Sequence, residues 1–469
     1  MEIKITKQDV IWSYAAKFFN IAAGFITLPL VLNKLSAAEV GLNYLMMTVG
    51  TLVALFDFGF APQFGRNITY IFSGTQTLRK EGVDPNDVGT QINYHLLKSV
   101  ICTAKYVYKR LSVVVLLFML TVGTIYMYSV TDGFQIIENS FVIWLTYCLS
   151  VFFNIYFTYY SSLLSGAALI REQQKAMIFS RVTYILIVFI LLYIGCGLIS
   201  VVIANMIAPF VFRYYSHKKF FTRDLKAKLA EHHITRNEIK ETFDVLWYNS
   251  KKLGINFIGA YGINKSSMFI AGLYLSLTDI GTYGIMTQLV TIVSTISCSM
   301  FATYLPMFNK LRAQGDNANI VRLFSFNMVV FYVIYIAGIL AIILFGPWVL
   351  RLIGSSIVLP CTGILVVYSV IILLENNHSN FASLITTNNE VPFVKAGLLS
   401  GVVIVALTLF VLNVTSWGLW GIVIVQGVVQ LAYNNWYWPR WIFNELHFDV
   451  CSMLKCGITE SLKKVKLLW

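Results

Sequence analysis

The chain has 469 residues, of which 57% are hydrophobic, 15% aromatic and only 12% charged, with a mean hydropathy of +0.71. That apolar content exceeds what a soluble core needs, so a soluble globular protein is excluded. The net charge of +13 carries no accompanying stacking motif, which excludes nucleic acid as a partner and leaves the excess to the loops of a polytopic membrane protein.

Twelve apolar stretches of roughly 20 residues follow one another, each long enough to cross a ~30 Å hydrocarbon core as a helix. They lie near 11–33, 40–64, 111–130, 140–166, 182–198, 199–215, 253–275, 280–306, 323–345, 358–386, 393–412 and 418–438. The first carries Lys17 and Asn20 and lacks a small-residue cleavage site, so it reads as a retained span rather than a signal peptide. The loops sort their charge. Of the 35 Lys and Arg, 31 fall in alternate loops and termini, two in the intervening loops (Lys34, Arg351) and two inside spans (Lys17, Lys265). Basic loops resist translocation, so the pattern predicts cytoplasmic N and C termini.

Two cytoplasmic segments are long. The 66–110 insert carries seven basic residues, and its Tyr94-to-Tyr108 portion predicts a helix lying along the membrane surface. The stretch from Arg213 to Lys252 carries ten and predicts a helical linker over 216–252. The expected organisation is therefore a six-helix lobe over 1–215, the linker, a second six-helix lobe over 253–438 and a cytoplasmic tail over 439–469. His232 and His233 sit in the charged linker without a third ligand, and the seven cysteines form no CxxC pair, so no metal, cofactor or disulfide framework is expected.

The two lobes share a sequence. At an ungapped offset of 240 residues, Leu35 to Met46 (LSAAEVGLNYLM) lies on Leu275 to Met286 (LSLTDIGTYGIM), matching Ser36 with Ser276, Glu39 with Asp279 and Gly41 with Gly281. Both copies straddle an outer turn between spans of the same orientation, which predicts parallel repeats related by an axis along the membrane normal. Taken alone, an acid followed by Gly also makes a tight turn and a helix start.

The Leu35-to-Gly41 turn after Pro29, the LFDFG run at Leu55 to Gly59 followed by Arg66, and DIGTYGIMTQL (Asp279 to Leu289) followed by YLPMFNKLRAQGD (Tyr304 to Asp316) resemble the polysaccharide-transport, or O-antigen flippase, family of the multidrug/oligosaccharidyl-lipid/polysaccharide exporter superfamily. The resemblance implies an all-α integral membrane protein of the bacterial inner membrane, with twelve helices in two lobes and a cationic central cavity. It implies transport of undecaprenyl-diphosphate-linked oligosaccharide from the cytoplasmic to the periplasmic leaflet, for surface polysaccharide or O-antigen (lipopolysaccharide) assembly beside polysaccharide polymerase machinery, and no enzymatic activity. The 66–110 insert is longer than that family's pattern suggests.

Ionisable groups inside spans normally face a cavity or a partner. Lys17 and Asn20 lie on a polar and small-residue stripe with Ser13, Gly24 and Thr27, and Asp57 sits at a similar depth on the next span. A Lys17–Asp57 ion pair, a substrate-facing Lys17, a snorkelling Lys17 and an Asp57 that caps the turn at Gly59 all remain open. Lys265 lies about twelve residues into span 7, too deep to snorkel, with Tyr261, Asn264, Ser266 and Ser267 around it and no carboxylate at i±3 or i±4. It is the candidate for the diphosphate, with Tyr261 and Asn264 beside it. The run Glu375 to Asn380 either lines span 10 or begins a loop at Leu374. In the first case Asn376 and Asn377 bind sugar hydroxyls, and Glu375 or His378 exchanges a coupling proton. Rival readings are a multidrug efflux antiporter of the same superfamily and a membrane-bound glycan polymerase or acyltransferase, for which the outer loops are too short to build a catalytic site.

Overall fold

In the computed structural model, which describes residues 7–80, 89, 91–388 and 392–466, every regular element longer than a single bridge is a helix. The chain divides into two compact units, Met1–Ile258 and Gly259–Trp469. Among the described residues, eight helical segments are long and apolar enough to cross a membrane. Their outward faces are apolar as well as their inward ones, which is the pattern of helices solvated by lipid.

In the first unit, α1 (Lys7–Lys34) hands over to α2 (Ala37–Ala54) through a reciprocal cap. Ser36 Oγ accepts from the Glu39 N–H at 3.3 Å, and the Ser36 N–H donates to Glu39 Oε2 at 2.9 Å. Glu39 Oε1 also accepts from the Leu198 N–H at 2.9 Å, so the same acid satisfies an orphan donor at the start of a distant helix. The LFDFG run then breaks the second span. A 3-10 turn over Leu55–Asp57 is followed by Phe58 and Gly59 in the left-handed region (φ 45° and 76°), and α3 (Phe60–Phe72) starts in a new direction. Gly59 adopts that conformation without a Cβ penalty, whereas Phe58 is strained there and is held by its ring against Trp247 at 5.9 Å.

The third span differs from expectation. Instead of a surface helix followed by a span, α4 (Tyr94–Phe118), a π-helical turn over Met119–Gly123 and α5 (Thr124–Val130) form one 37-residue helix, about 55 Å long. Asn93 caps its start by accepting from the Leu96 N–H at 2.9 Å. The apolar face of the early turns (Leu97, Val100, Ile101, Ala104, Val107, Tyr108) is buried in protein, against Phe60, Phe64 and Ile68 of α3 and Leu229 and Leu246 of the linker. An amphipathic pattern shows that one face must be covered, not whether lipid or protein covers it.

The unit continues through α6 (Ser140–Phe157), α7 (Tyr159–Gly166), α8 (Ile170–Ile194) and α9 (Ile199–Phe220), then through the linker helices α10 (Arg223–Ala230) and α11 (Arg236–Asn264). The linker docks on α4: Ser99 and Thr242 hydroxyls meet at 2.8 Å, His95 Nε2 lies 2.6 Å from Glu238 Oε1, and Lys98 donates to the His232 carbonyl. Hydrogen bonds from the Thr235 N–H and hydroxyl, with His95 adding to them, hold the Glu238 carboxyl down at about 2. Among the described residues no group of three or more His, Cys, Asp or Glu is placed to hold a metal.

The second unit takes the last turns of α11, then α12 (Ser266–Ala271), α13 (Leu277–Ala313), α14 (Asn317–Leu352), α15 (Thr362–Ile385), α16 (Val394–Val414), α17 (Leu419–Ala432), α18 (Asn434–Leu446) and α19 (Val450–Lys466). The repeated turn recurs as a structure. Ser276 Oγ accepts from the Asp279 N–H at 3.1 Å and donates to Asp279 Oδ2 at 2.6 Å, opening α13 as Ser36 and Glu39 open α2. Gly259 and Gly262 on α11 meet α16 at backbone distance: a Cβ on Gly262 would lie 2.9 Å from the Gly401 Cα, the small-residue contact that lets membrane helices approach.

Candidate substrate and coupling site

Span 7 is interrupted at the residue that carries its charge. α11 ends at Asn264, Lys265 takes φ −130° and ψ −24°, and α12 resumes at Ser266. The Lys265 N–H still donates to the Tyr261 carbonyl at 2.9 Å, so the helix axis continues through a one-residue kink. The Lys265 side chain is exposed, and no ion-pair or hydrogen-bond partner for its ammonium exists among the described residues. Beneath it, Ser266 and Ser267 are buried, and Ser266 donates back to the Gly262 carbonyl at 2.5 Å. Tyr261 is half-buried one turn earlier, and the side chain of Asn264 lies outside the described residues.

The polar run of span 10 lies inside α15 and does not begin a loop. Successive residues of a helix point about 100° apart, so four in a row face four directions. Each meets a different helix. Glu375 is 8% exposed and accepts from Gln426 Nε2 of α17 at 2.8 Å; Asn376 Nδ2 donates to Ser294 Oγ of α13 at 2.8 Å. Asn377 Oδ1 accepts from the Tyr332 hydroxyl of α14 at 2.5 Å, and His378 Nδ1 lies 2.7 Å from Asn435 Oδ1 of α18. Asn380, two residues on, points its amide at Met328 Sδ. α15 is thus the polar hub of the second unit, and Asn376 and Asn377, expected to meet sugar hydroxyls, are engaged by protein.

In the first unit Asp57 ends the second span's 3-10 turn. Its Oδ1 accepts from the Tyr108 hydroxyl at 2.6 Å and its Oδ2 from the Ala61 N–H at 3.2 Å, so of the roles left open the structure displays the cap at Gly59. Lys17 and Asn20 belong to α1, but their side chains lie outside the described residues. Tyr108, Gln426, Asn435, Ser294 and Tyr332 carry no local sequence signal. Each becomes a partner only when helices tens of residues apart are packed together.

No family model matches the chain, and no curated protein matches it by sequence. Solved structures do. One is the inward-facing conformation of a multidrug resistance MATE family transporter of the MOP superfamily, 14% identical, with a TM-score of 0.65 over 92% of this chain and 95% of that one. Another is the lipid II flippase MurJ in an inward closed conformation, 13% identical, with a TM-score of 0.62 over 97% of this chain and 91% of that one. At such identities the likeness is one of fold: the chain is a multi-pass, all-helical membrane protein with the two-lobe architecture of MOP-superfamily transporters.

Proposed function

We propose that the protein is a flippase of the bacterial inner membrane that moves polyprenyl-diphosphate-linked oligosaccharide by alternating access, with both termini cytoplasmic and polysaccharide polymerase machinery downstream. The observation that carries this reading is Lys265, an unpaired, exposed ammonium at the kink of span 7. A cation held in a span without a carboxylate is suited to an anionic ligand, and a diphosphate is the charged part of such a carrier. The polyprenyl tail can remain in lipid while the head group is passed. The multidrug-antiporter reading needs a carboxylate open to a bulky organic cation; Glu375 is 8% exposed and Asp57 is already bonded to Tyr108 and Ala61, which favours the flippase.

Two measurements test it. Deleting the gene should leave lipid-linked repeat units on the cytoplasmic leaflet. Lys265→Ala and Lys265→Gln should insert at normal levels yet flip poorly, with Lys265→Arg keeping part of the rate. A well-expressed Lys265→Ala protein that transports at the wild-type rate would remove the diphosphate role.

A further inference from the structure

The first unit holds a second unpaired cation. Counting from the first turn of α8, Arg181 stands eleven residues in, roughly 16 Å along the axis, and therefore inside a helix whose outer face is strongly apolar (Phe179 47%, Leu186 56% and Ile190 56% exposed). It lines an open pocket of about 330 Å³ between α6, α7, α8 and α9, whose wall includes Asn154, Thr158, Ser161, Met177, Asn205 and Phe212. The guanidinium packs over the Tyr184 ring at 5.1 Å, and its Nε–H is buried with no acceptor.

That arrangement is unusual for an arginine. Its charge cannot be shed by deprotonation, so a buried N–H without an acceptor remains uncompensated. Among the described residues no carboxylate relieves it. Glu172, the one acid on α8, is taken by the Tyr215 hydroxyl at 2.6 Å, Arg171 at 3.0 Å, Lys219 at 3.5 Å and Lys175 at 3.6 Å. The Tyr184 ring lies against the guanidinium and its Nε–H is buried, which leaves the two terminal Nη groups to meet the oxygens of a phosphate. Across the cavity, Asn154 Nδ2 is spent on the Ser150 and Asn205 carbonyls, at 2.9 and 3.2 Å, while its Oδ1 and the Asn205 side-chain amide bond to no other described group.

From this geometry we infer that the α6–α9 cavity binds the phosphate or diphosphate group of an amphiphile: Arg181 takes the oxyanion, the Asn205 amide donates to a neighbouring oxygen, Asn154 Oδ1 accepts from a neighbouring hydroxyl, and the apolar outer faces of α8 and α9 accommodate the chain. The cavity is at the small end of ligand sites and suits a head group rather than a tail. Two sources supply this chemistry, a polyprenyl-diphosphate carrier and a bulk phospholipid. The inference does not rest on the flippase reading, because binding is measured without transport.

The test uses the purified full-length chain carrying Lys265→Gln, so that the span 7 ammonium contributes nothing, with farnesyl diphosphate as the probe and native mass spectrometry or titration calorimetry as the readout. One saturable site is expected. Arg181→Gln should weaken it about tenfold or more, Arg181→Lys less, since a point charge keeps attraction but loses the bidentate fit. Asn205→Leu, which keeps side-chain bulk and leaves the arginine in place, should weaken it severalfold and guards against a folding defect in the arginine variants. Competition by phosphatidylglycerol at equal potency identifies the bulk lipid as the source, and its failure to compete identifies the carrier; either supports an amphiphile phosphate site. Binding of farnesol as tight as that of farnesyl diphosphate, inorganic diphosphate binding as tightly as the farnesyl form, or wild-type affinity in folded Arg181→Gln would overturn it. If this site is confirmed while deletion of the gene leaves no lipid-linked repeat units on the cytoplasmic leaflet, the flippase reading fails and the phosphate site stands.

Discussion

Asp57 in the first unit and Glu375 in the second are both carboxylates within spans, and the groups that satisfy them differ in kind. Asp57 sits at a helix break and accepts one bond from the backbone of α3 and one from Tyr108. Glu375 sits in the middle of an unbroken helix, where the backbone needs nothing from it, and it accepts from the side chain of Gln426. An acid that closes a backbone terminus is required by the fold. An acid placed where the helix would form without it invites a functional explanation.

The largest effect should come from emptying the first of these positions. Asp57→Leu leaves the Ala61 N–H and the Tyr108 hydroxyl without an acceptor in apolar surroundings, at about 1–3 kcal/mol each. The amount of folded protein in the membrane and its melting temperature should both fall, and Asp57→Asn should recover part because its amide oxygen can still cap. Exchange of Lys17 and Asp57 sharpens the point: recovery in the swapped protein would show an ion pair, whereas the cap predicts none, since a lysine cannot accept from Ala61.

Glu375→Gln should behave in the other way. The glutamine fills the same space and still bonds Gln426, so the protein level should hold, while on the proposed flippase reading the transport rate drops roughly tenfold and loses its dependence on an imposed pH gradient if the carboxyl exchanges a proton. A fully active Glu375→Gln protein would make the two acids alike, both structural, and remove coupling from α15.

Much of the fold was legible because its cause is local. A span needs about 20 apolar residues, so an all-helical chain with many membrane-length apolar helices follows from the sequence read piece by piece. The failures lie where protein replaces lipid as the covering surface. The Tyr94-to-Tyr108 helix has one apolar face, and the pattern reads the same whether that face meets lipid or Phe60, Phe64 and Leu246. The position of Lys265 within span 7 was legible; that the helix kinks there was not, because neither neighbour is Gly or Pro.

Tyr108→Phe is a milder perturbation of the Asp57 side. It removes the 2.6 Å bond to Oδ1 but leaves the cap to Ala61, so a loss of about 0.5–1.5 kcal/mol is expected, without the collapse in protein level seen for Asp57→Leu. Equal losses in the two variants would mean that the tyrosine bond, and not the cap, holds the break.

The smallest expected difference compares the two repeats directly. Glu39 and Asp279 occupy matching positions and close equivalent turns with Ser36 and Ser276, so truncating either to Ala keeps the serine cap but removes the acid's bond back to the serine, at about 0.5–1.5 kcal/mol. Glu39 has a second duty. Its Oε1 accepts from the Leu198 N–H at 2.9 Å, and it lies so near Gly197 (φ 61°) that a Cβ there would come within 2.7 Å of that oxygen. Glu39→Ala therefore also strips an acceptor from the start of α9, and it should lower the melting temperature further than Asp279→Ala does. Gly197→Ala should reproduce that extra loss by pushing the carboxylate away and straining the turn, while leaving the Ser36 cap available. If Glu39→Ala and Asp279→Ala melt together, the Leu198 bond adds nothing and the two turns are energetically as well as geometrically equivalent.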